Sequence, residues 1–140
     1  MDKGYRGVKN LMKLQSEWTT MSRKILKGYD ITYPQFRVLS GLMELQEPGK
    51  RITQAHLSQY TGIDVMTLST IIRNLESRRL IRRAESRSDT RAKNVYLTSV
   101  GLSLAEDMVP AVEQAAQYFF ASYSDDLLEE LCKVEACFNP

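Results

Sequence analysis

The chain is poor in the residues that carry most enzymatic chemistry. It holds one histidine, His56, and two cysteines, Cys132 and Cys137. No glycine-rich phosphate loop occurs, and no nucleophile stands in a recognisable catalytic motif. The cysteines are five residues apart in a helical segment, so they project from different faces and cannot readily share a metal. We therefore expect no enzyme, no metal site and no cofactor.

Long apolar runs are also missing. No segment approaches the roughly 18 apolar residues of a membrane-spanning helix. Residues 1–10 lack the apolar block of a secretory signal. We expect a soluble cytoplasmic protein whose cysteines are reduced thiols, without membrane contact. A thiol-based redox sensor that uses Cys132 or Cys137 stays open as an alternative.

Charge is distributed unevenly along the chain. Residues 1–93 hold 18 Lys and Arg against nine Asp and Glu, whereas residues 94–140 hold one Lys against eight acidic residues. A basic body can hold a polyanion, and the acidic end stays away from it. The alternative is a solvated surface with patchy charge. The 43% hydrophobic content suffices for the core of one compact domain.

Residues 53–77 have the pattern of two short helices joined by a tight turn. Thr53 and Asp64 are suited to cap the two helices, and Gly62 can adopt the positive φ that the turn needs. The first helix is expected to turn three side chains inward: Ala55, Leu57 and Tyr60.

The second of these helices has two chemically different faces. One is an apolar stripe at i, i+3, i+4 and i+7: Leu68, Ile71, Ile72 and Leu75. The other face carries mostly short side chains and is rich in hydrogen-bond donors: Met66, Ser69, Thr70, Arg73, Asn74 and Ser77. Such a surface suits the major groove of DNA, which is about 12 Å wide. We expect Arg73 to bond guanine in bidentate fashion and the hydroxyls to reach bases or phosphates.

A basic hairpin is predicted next. Residues 81–86 and 94–97 are strand candidates, with an inward Val95 alternating with an outward Asn94. Residues 51–53 are expected to add a short strand. Seven basic residues accompany the hairpin: Arg78, Arg79, Arg82, Arg83, Arg87, Arg91 and Lys93. A basic hairpin directly after a groove-shaped helix is typical of a DNA-binding wing, and we expect three of them to contact phosphates: Arg82, Arg83 and Arg87.

Long amphipathic helices flank this region. The first carries a seam at alternating spacings of three and four: Leu11, Leu14, Trp18, Met21 and Ile25. Thr32 and Gln35 form a capping box for the next helix. After the hairpin, a long helix starts at Thr98 or Ser99, and we expect Pro110 to interrupt it with a kink. Ser124 begins a last helix. The terminal helices hold more apolar surface than one subunit would bury, which favours a dimer.

Two groups of residues form a recognisable pattern. One lies at the hairpin: Asp89, Thr90, Arg91, Ala92, Val95, Leu97, Thr98 and Gly101. The other lies upstream: Ile31, Thr32, Gln35 and Leu39. They resemble the MarR family of transcription regulators, whose wing reads roughly Asp-Arg-Arg-Ala before Leu-Thr and Gly, and whose second helix starts Leu-Thr-x-x-Gln. The resemblance covers nearly the whole chain.

Two departures from the family pattern matter. Thr90 replaces the first wing Arg and removes one phosphate contact, while Arg91 is kept. Arg79 stands where the family usually has Gly. A left-handed backbone there would cost a non-glycine residue about 1 kcal/mol; alternatively, the helix ends differently.

The resemblance implies a mainly α fold with a small β-wing, in one domain over residues 1–140. Residues 31–98 would form a winged helix-turn-helix lobe, and residues 1–30 and 99–140 a helical dimerisation lobe. A homodimer would occupy a pseudo-palindromic operator on double-stranded DNA, with recognition helices roughly 34 Å apart, and block transcription. The alternative is a winged-helix adaptor that binds a protein.

Two further expectations concern the wing tip and an effector. Arg91 is expected in a narrow minor groove, with Asp89 bracing its guanidinium; the alternative is an incidental ion pair on a solvated loop. Many relatives release DNA when a small aromatic or anionic molecule binds between the lobes. Five residues are expected near that junction, although each is individually explained as core: Trp18, Tyr29, Tyr33, Phe36 and Arg37.

Overall fold

A computed structural model describes residues 2–85 and 93–138, with side chains through Glu135. Within that part, six helices and two antiparallel strands follow in the order α1 (Lys3–Lys27), α2 (Tyr33–Leu45), α3 (Gln54–Thr61), α4 (Val65–Ser77), β1 (Ile81–Glu85), β2 (Lys93–Leu97), α5 (Ser99–Phe120) and α6 (Asp125–Phe138). The prediction of a mainly α fold with a small β-wing is confirmed. No described helix has the length and hydropathy needed to cross a membrane.

The central element is α2, which contacts α1, α3, α4, α5 and β2. Fully or almost fully buried side chains of α2 and of these neighbours form the core: Leu26, Val38, Leu39, Leu42, Leu57, Leu68, Ile72, Leu75, Val95 and Met108. Burial of such side chains stabilises the fold by about 1.5–3 kcal/mol each before conformational entropy is counted. The core thus holds α4 and the sheet against one rigid helix.

The predicted caps are confirmed. Thr32 and Gln35 form the reciprocal capping box of α2. Thr53 accepts from the His56 N–H at 3.1 Å to start α3. Asp64 accepts from the Thr67 N–H at 3.0 Å to start α4, and its hydrogen bonds to Thr67 lower the pKa of the carboxyl. These bonds satisfy N–H groups that a helix start leaves unpaired.

The predicted inward face of α3 is wrong at two of its three positions. Leu57 is buried, but Ala55 is exposed and Tyr60 is 46% exposed. Thr61, one turn after Leu57, takes the second inward position. The Tyr60 hydroxyl instead donates to the Glu44 carboxylate of α2, and this bond, with burial, raises the pKa of Tyr60 to about 12. A polar partner at the surface therefore turned the ring outward.

The predicted alternation of β2 is wrong at Asn94, which is buried together with Val95. A chain segment runs along the edge of β2. The Val95 N–H donates to the Ile52 carbonyl at 2.8 Å, and Thr53 and Asn94 form an isolated antiparallel bridge. Of the short strand predicted over residues 51–53, the structure therefore has a single bridge at Thr53.

The start of α5 closes tightly on the end of the helix-turn-helix. The Thr98 hydroxyl donates to the Arg79 carbonyl at 2.7 Å and accepts from the Gly101 N–H at 3.0 Å. A Cβ at Gly101 would lie 2.0 Å from the Leu80 carbonyl oxygen, so only glycine fits. Arg79 has a φ of 62°. The backbone therefore keeps the left-handed conformation that the family usually assigns to glycine, and Arg79 accepts the strain.

The predicted interruption of the long helix at Pro110 is wrong, since α5 runs unbroken from Ser99 to Phe120. Proline removes one backbone hydrogen bond. Met108 and Val112 on either side are buried in the core, so packing holds the helix together across the missing bond. A bend at Pro110 stays a prediction.

The N-terminal half of α1 and the whole of α6 lie outside this core. Exposed large apolar side chains line both: Tyr5, Val8, Leu11, Met12, Leu128 and Val134. α6 packs extensively against no other described element. A large exposed apolar surface of this kind marks an interaction site in a soluble protein.

Candidate nucleic-acid interface

The outward face of α4 carries the residues predicted to read DNA. Its buried stripe is confirmed, with Leu68, Ile72 and Leu75 fully buried and Ile71 partly buried. On the opposite side, the structure places the five predicted residues together. Ser69 is half-buried, and the other four are exposed: Thr70, Arg73, Asn74 and Ser77. About two turns of the helix thus present hydroxyl, guanidinium and amide groups to solvent.

Short-range hydrogen bonds organise this face. The Arg73 guanidinium donates to the Thr70 hydroxyl at 3.4 Å, and that hydroxyl donates to the Met66 carbonyl at 3.3 Å. The Ser77 hydroxyl donates to the Asn74 carbonyl at 2.7 Å. The first of these bonds is long and exposed, so it is readily exchanged for a base or phosphate partner. Among the described residues, the other N–H donors of Arg73 have no hydrogen-bond partner.

Two contacts hold the C-terminal part of α4 against the start of α2. The Gln35 side-chain amide donates to the Asn74 side-chain oxygen at 2.9 Å. The Arg78 guanidinium donates to the Asp30 carbonyl at 2.9 Å and lies 3.7 Å from its carboxylate. The sequence places Gln35 in a capping box and in the family pattern. Its second hydrogen bond spans 39 residues, and no sequence signal indicates it.

Arg82 and Arg83 are neighbours on β1 with opposite surroundings. Arg82 is exposed, and its guanidinium lies 4.7 Å from the centroid of the Tyr96 ring on β2. Arg83 is half-buried and donates to Glu76 of α4 at 2.9 Å and to Gln54 of α3 at 3.4 Å. The hydrogen bond from Arg83 lowers the pKa of the Glu76 carboxyl. Arg83 therefore ties the wing to both helices of the helix-turn-helix.

The remaining wing residues divide by position. Lys93 is exposed at the start of β2, opposite Glu85. Three other predicted DNA contacts, Arg87, Asp89 and Arg91, lie outside the described residues. The described part of the wing thus adds two exposed cations, Arg82 and Lys93, beside the outward face of α4.

The five residues predicted for an effector pocket do not converge on one cavity. Tyr33, Phe36 and Arg37 line a cavity of about 620 Å³ against α3. Trp18 lines a separate apolar cavity of about 280 Å³ between α1 and α5, and Tyr29 lines neither. The Trp18 ring nevertheless contacts Tyr33, at a centroid distance of 6.1 Å, and it also packs against Phe119 at 5.6 Å. A single pocket lined by all five residues stays a prediction.

A different cavity adjoins the outward face of α4, which we call the recognition face. It has a volume of about 790 Å³ and lies between the end of α1, the start of α2 and the end of α4. Arg23, Lys27 and Arg78 supply positive charge to its lining, while Gln35 and Asn74 form its border with α4. Sequence analysis missed it because its basic residues come from helices far apart in the chain.

Comparison with known proteins agrees with this geometry. A sequence model described as the MarR family matches residues 29–92. The HTH-type transcriptional regulator MgrA of Staphylococcus aureus is 30% identical over 110 residues, which are 79% of this chain and 71% of that protein. This chain belongs to the MarR family. It is a DNA-binding transcription regulator and not an enzyme.

Solved MarR-family structures share the fold over almost the entire chain. The S. aureus MepR–DNA complex superposes with a TM-score of 0.80 at 26% identity, covering 97% of this chain and 95% of MepR. BpsR of Bordetella bronchiseptica, whose DNA binding is regulated by 6-hydroxynicotinic acid, superposes with a TM-score of 0.81. The two sequences are 22% identical, and the superposition covers 96% of this chain and 99% of BpsR. At this identity the likeness shows a shared fold and nothing more.

Thiol and metal chemistry have little support in this MarR-family chain. Cys132 is exposed on α6, and the side chain of Cys137 lies outside the description. Among the described residues, no group of three or more His, Cys, Asp and Glu side chains is placed to hold a metal ion. The redox-sensing alternative therefore gains no structural observation in its favour.

Proposed function

We propose that this regulator acts as a repressor, bound as a homodimer to a pseudo-palindromic operator. The observation that carries the proposal is the outward face of α4, where Thr70, Arg73, Asn74 and Ser77 are exposed together on a helix whose opposite side is fully buried. A helix held in this way can enter the major groove as a rigid body. Two bound copies of α4 would then cover the promoter and block transcription.

Base reading is assigned to α4 and backbone contact mainly to the wing. Arg73 presents a donor fork that matches guanine O6 and N7. Arg82, Arg87 and Lys93 are the proposed phosphate contacts, and Arg91 the proposed minor-groove contact, braced by Asp89. The Glu76 ion pair already neutralises Arg83, so this arginine is proposed to orient the wing. Each phosphate contact should contribute about 0.9 to the salt slope of binding.

The dimer is proposed to form through the apolar surface of α1 and α6. On α1, Leu11 is 51% exposed and Met12 is 57% exposed, although both have large apolar side chains. The apolar cavity between α1 and α5 continues this surface, with a lining that includes Leu14, Phe120 and Leu131. A second copy would cover these side chains and leave residues 31–98 free as the DNA-binding lobe.

Release by a small anionic effector completes the proposal. The cavity of about 790 Å³ offers Arg23 and Lys27 to an anion, and it borders Asn74 on the recognition face. An anion there would also compete for Arg78, which holds the end of α4 to Asp30. A small aromatic carboxylate has the size and charge for this space, and 6-hydroxynicotinic acid, the compound that regulates BpsR, is a suitable probe.

The test is fluorescence anisotropy of a labelled duplex from upstream of this protein's own gene. Arg73→Ala should weaken binding about tenfold or more, because one base contact is worth about 1–3 kcal/mol. Lys24→Ala is the control, since it removes one exposed positive charge from the C-terminal half of α1, away from the proposed DNA-binding face and dimer surface. Equal affinities for wild type and Arg73→Ala would contradict the proposal and favour the protein-binding adaptor.

The same assay tests the effector and the oligomer. Adding 6-hydroxynicotinic acid should release the duplex from wild type, and release should require more of it for Arg23→Ala. Sedimentation should show two copies of the chain per duplex. A single copy per duplex would contradict the dimer, and DNA binding unaffected by aromatic carboxylates would contradict the effector class.

A further inference from the structure

The orientation of the Asn74 side-chain amide on α4 is fixed by a residue of another helix, Gln35 of α2. Gln35 stands at the third position of α2, where its side-chain oxygen accepts from the Thr32 backbone N–H at 3.0 Å. A backbone N–H can only donate, so the atom of Gln35 that faces it must be the oxygen. The Gln35 amide nitrogen therefore points the other way, toward α4. This assignment follows from chemistry and does not depend on atom labels.

The same reasoning then fixes Asn74. The Gln35 nitrogen lies 2.9 Å from the Asn74 side-chain amide. Because that nitrogen is a donor, Asn74 must present its oxygen to Gln35. The Asn74 nitrogen and its two N–H donors are left for other partners on the exposed face of α4.

We infer that Gln35 is a specificity-determining positioning residue, which makes Asn74 a hydrogen-bond donor toward DNA. In the major groove, guanine presents the O6 and N7 acceptors and thymine the O4 acceptor, whereas adenine presents its N7 acceptor beside an amino donor and cytosine presents an amino donor alone. A donor-only Asn74 therefore cannot make the bidentate adenine contact or bond cytosine, and it favours a keto base at its position. Without Gln35, asparagine bonds adenine in bidentate fashion by turning both of its ends to the base.

The contact also reduces the freedom of Asn74 before DNA is bound. An exposed side chain normally loses rotamer entropy when it is ordered in an interface. Here the capping box holds Gln35 at both ends, since its backbone N–H also donates to the Thr32 hydroxyl at 3.2 Å. Base preference at the Asn74 position is thus set by the start of α2, outside the helix-turn-helix. This inference rests on the proposed placement of α4 in the major groove.

The decisive variant is Gln35→Glu, which keeps the cap and reverses the contact. A glutamate at the third helical position satisfies a capping box as well as glutamine does. Its carboxylate accepts hydrogen bonds only, so Asn74 would have to turn its nitrogen to α2 and its oxygen outward. We expect the preferred base at this position to change from keto to amino, with the ratio of affinities shifting about tenfold.

The experiment selects binding sequences from a random duplex library with the full-length wild type, Gln35→Glu, Asn74→Ala and the double variant. Selected duplexes differing at one base pair are then compared by anisotropy. Asn74→Ala should lose the preference at one position in each half-site. Adding Gln35→Glu to Asn74→Ala should change no base preference, although the added negative charge weakens all duplexes alike.

The possible results separate this inference from the proposed function. A motif selected by wild type, with the keto-to-amino change in Gln35→Glu only when Asn74 is present, supports both. A wild-type motif that Gln35→Glu retains at every position, with uniformly lower affinity, overturns the role of Gln35 and leaves the proposed function standing. Selection of no motif by wild type overturns the proposed function and this inference with it.

Discussion

Apolar side chains are covered differently in two regions of this chain, the core around α2 and the N-terminal half of α1. Around α2, apolar side chains such as Leu39 and Leu57 are fully buried within one subunit. Along the N-terminal half of α1, side chains of the same kind are about half exposed, as Leu11 and Val8 show. The first region completes its own core. The second has helical structure without a core, so its apolar surface requires a partner, and its contribution to stability should depend on protein concentration.

Glycine-to-alanine changes in the two regions should have opposite effects, and the first is the largest that we predict. Gly101→Ala should lower the free energy of unfolding by about 3 kcal/mol or more, because its Cβ would meet the Leu80 backbone. Gly7→Ala is the matched control on α1, where a Cβ meets nothing within 4 Å. It should stabilise the helix by about 0.5–1 kcal/mol. Urea unfolding monitored by circular dichroism measures both; a well-tolerated Gly101→Ala would contradict the close approach.

Leucine-to-alanine changes test whether the two regions bury leucine in different ways. Leu57→Ala should destabilise the subunit by about 2–5 kcal/mol at every protein concentration, as expected for a cavity in a packed core. Leu11→Ala should instead raise the dimer dissociation constant and reduce the dependence of the unfolding midpoint on concentration. Sedimentation and unfolding at two concentrations separate these effects. A Leu11→Ala protein with unchanged self-association would remove α1 from the proposed interface.

The smallest predicted effect concerns the left-handed backbone conformation of Arg79. Arg79→Gly should stabilise the protein by about 0.5 kcal/mol, because glycine adopts a φ of 62° without a Cβ penalty. Arg73→Gly is the control at ordinary helical geometry and should destabilise it by about 1 kcal/mol. The two unfolding midpoints should move in opposite directions. Movement of both in the same direction would show that Arg79 compensates its strain through contacts of its own.

Much of the local structure was predictable because its causes lie within a few residues of one another. The caps at Thr32, Thr53 and Asp64 and the buried stripe of α4 depend on side chains three or four positions apart. The errors arose where a distant element intervened. Residues 52 and 53 pair with the edge of β2, and Glu44 accepts a hydrogen bond from Tyr60 at the surface. Local periodicity contains no information about such partners.

The candidate site divides in the same way. Helical spacing alone groups Thr70, Arg73, Asn74 and Ser77 on one face, and the sequence therefore predicted the exposed face that we propose to read DNA. Which groups on that surface remain free depends on contacts across long separations. The difference between Arg82 and Arg83, adjacent residues of the same type, follows only from the position of Glu76 on another element.

By itself, the sequence determined the family, the helical and strand segments and the exposed face of α4 that is proposed to meet DNA, because composition, spacing and capping chemistry act locally. Only the tertiary structure decided how those groups are oriented. It engaged Arg83 with Glu76, packed Trp18 between Tyr33 and Phe119, and brought the Asn74 amide against Gln35. The physical reason is that hydrogen bonds and ion pairs act over a few ångströms in space, whatever the separation along the chain.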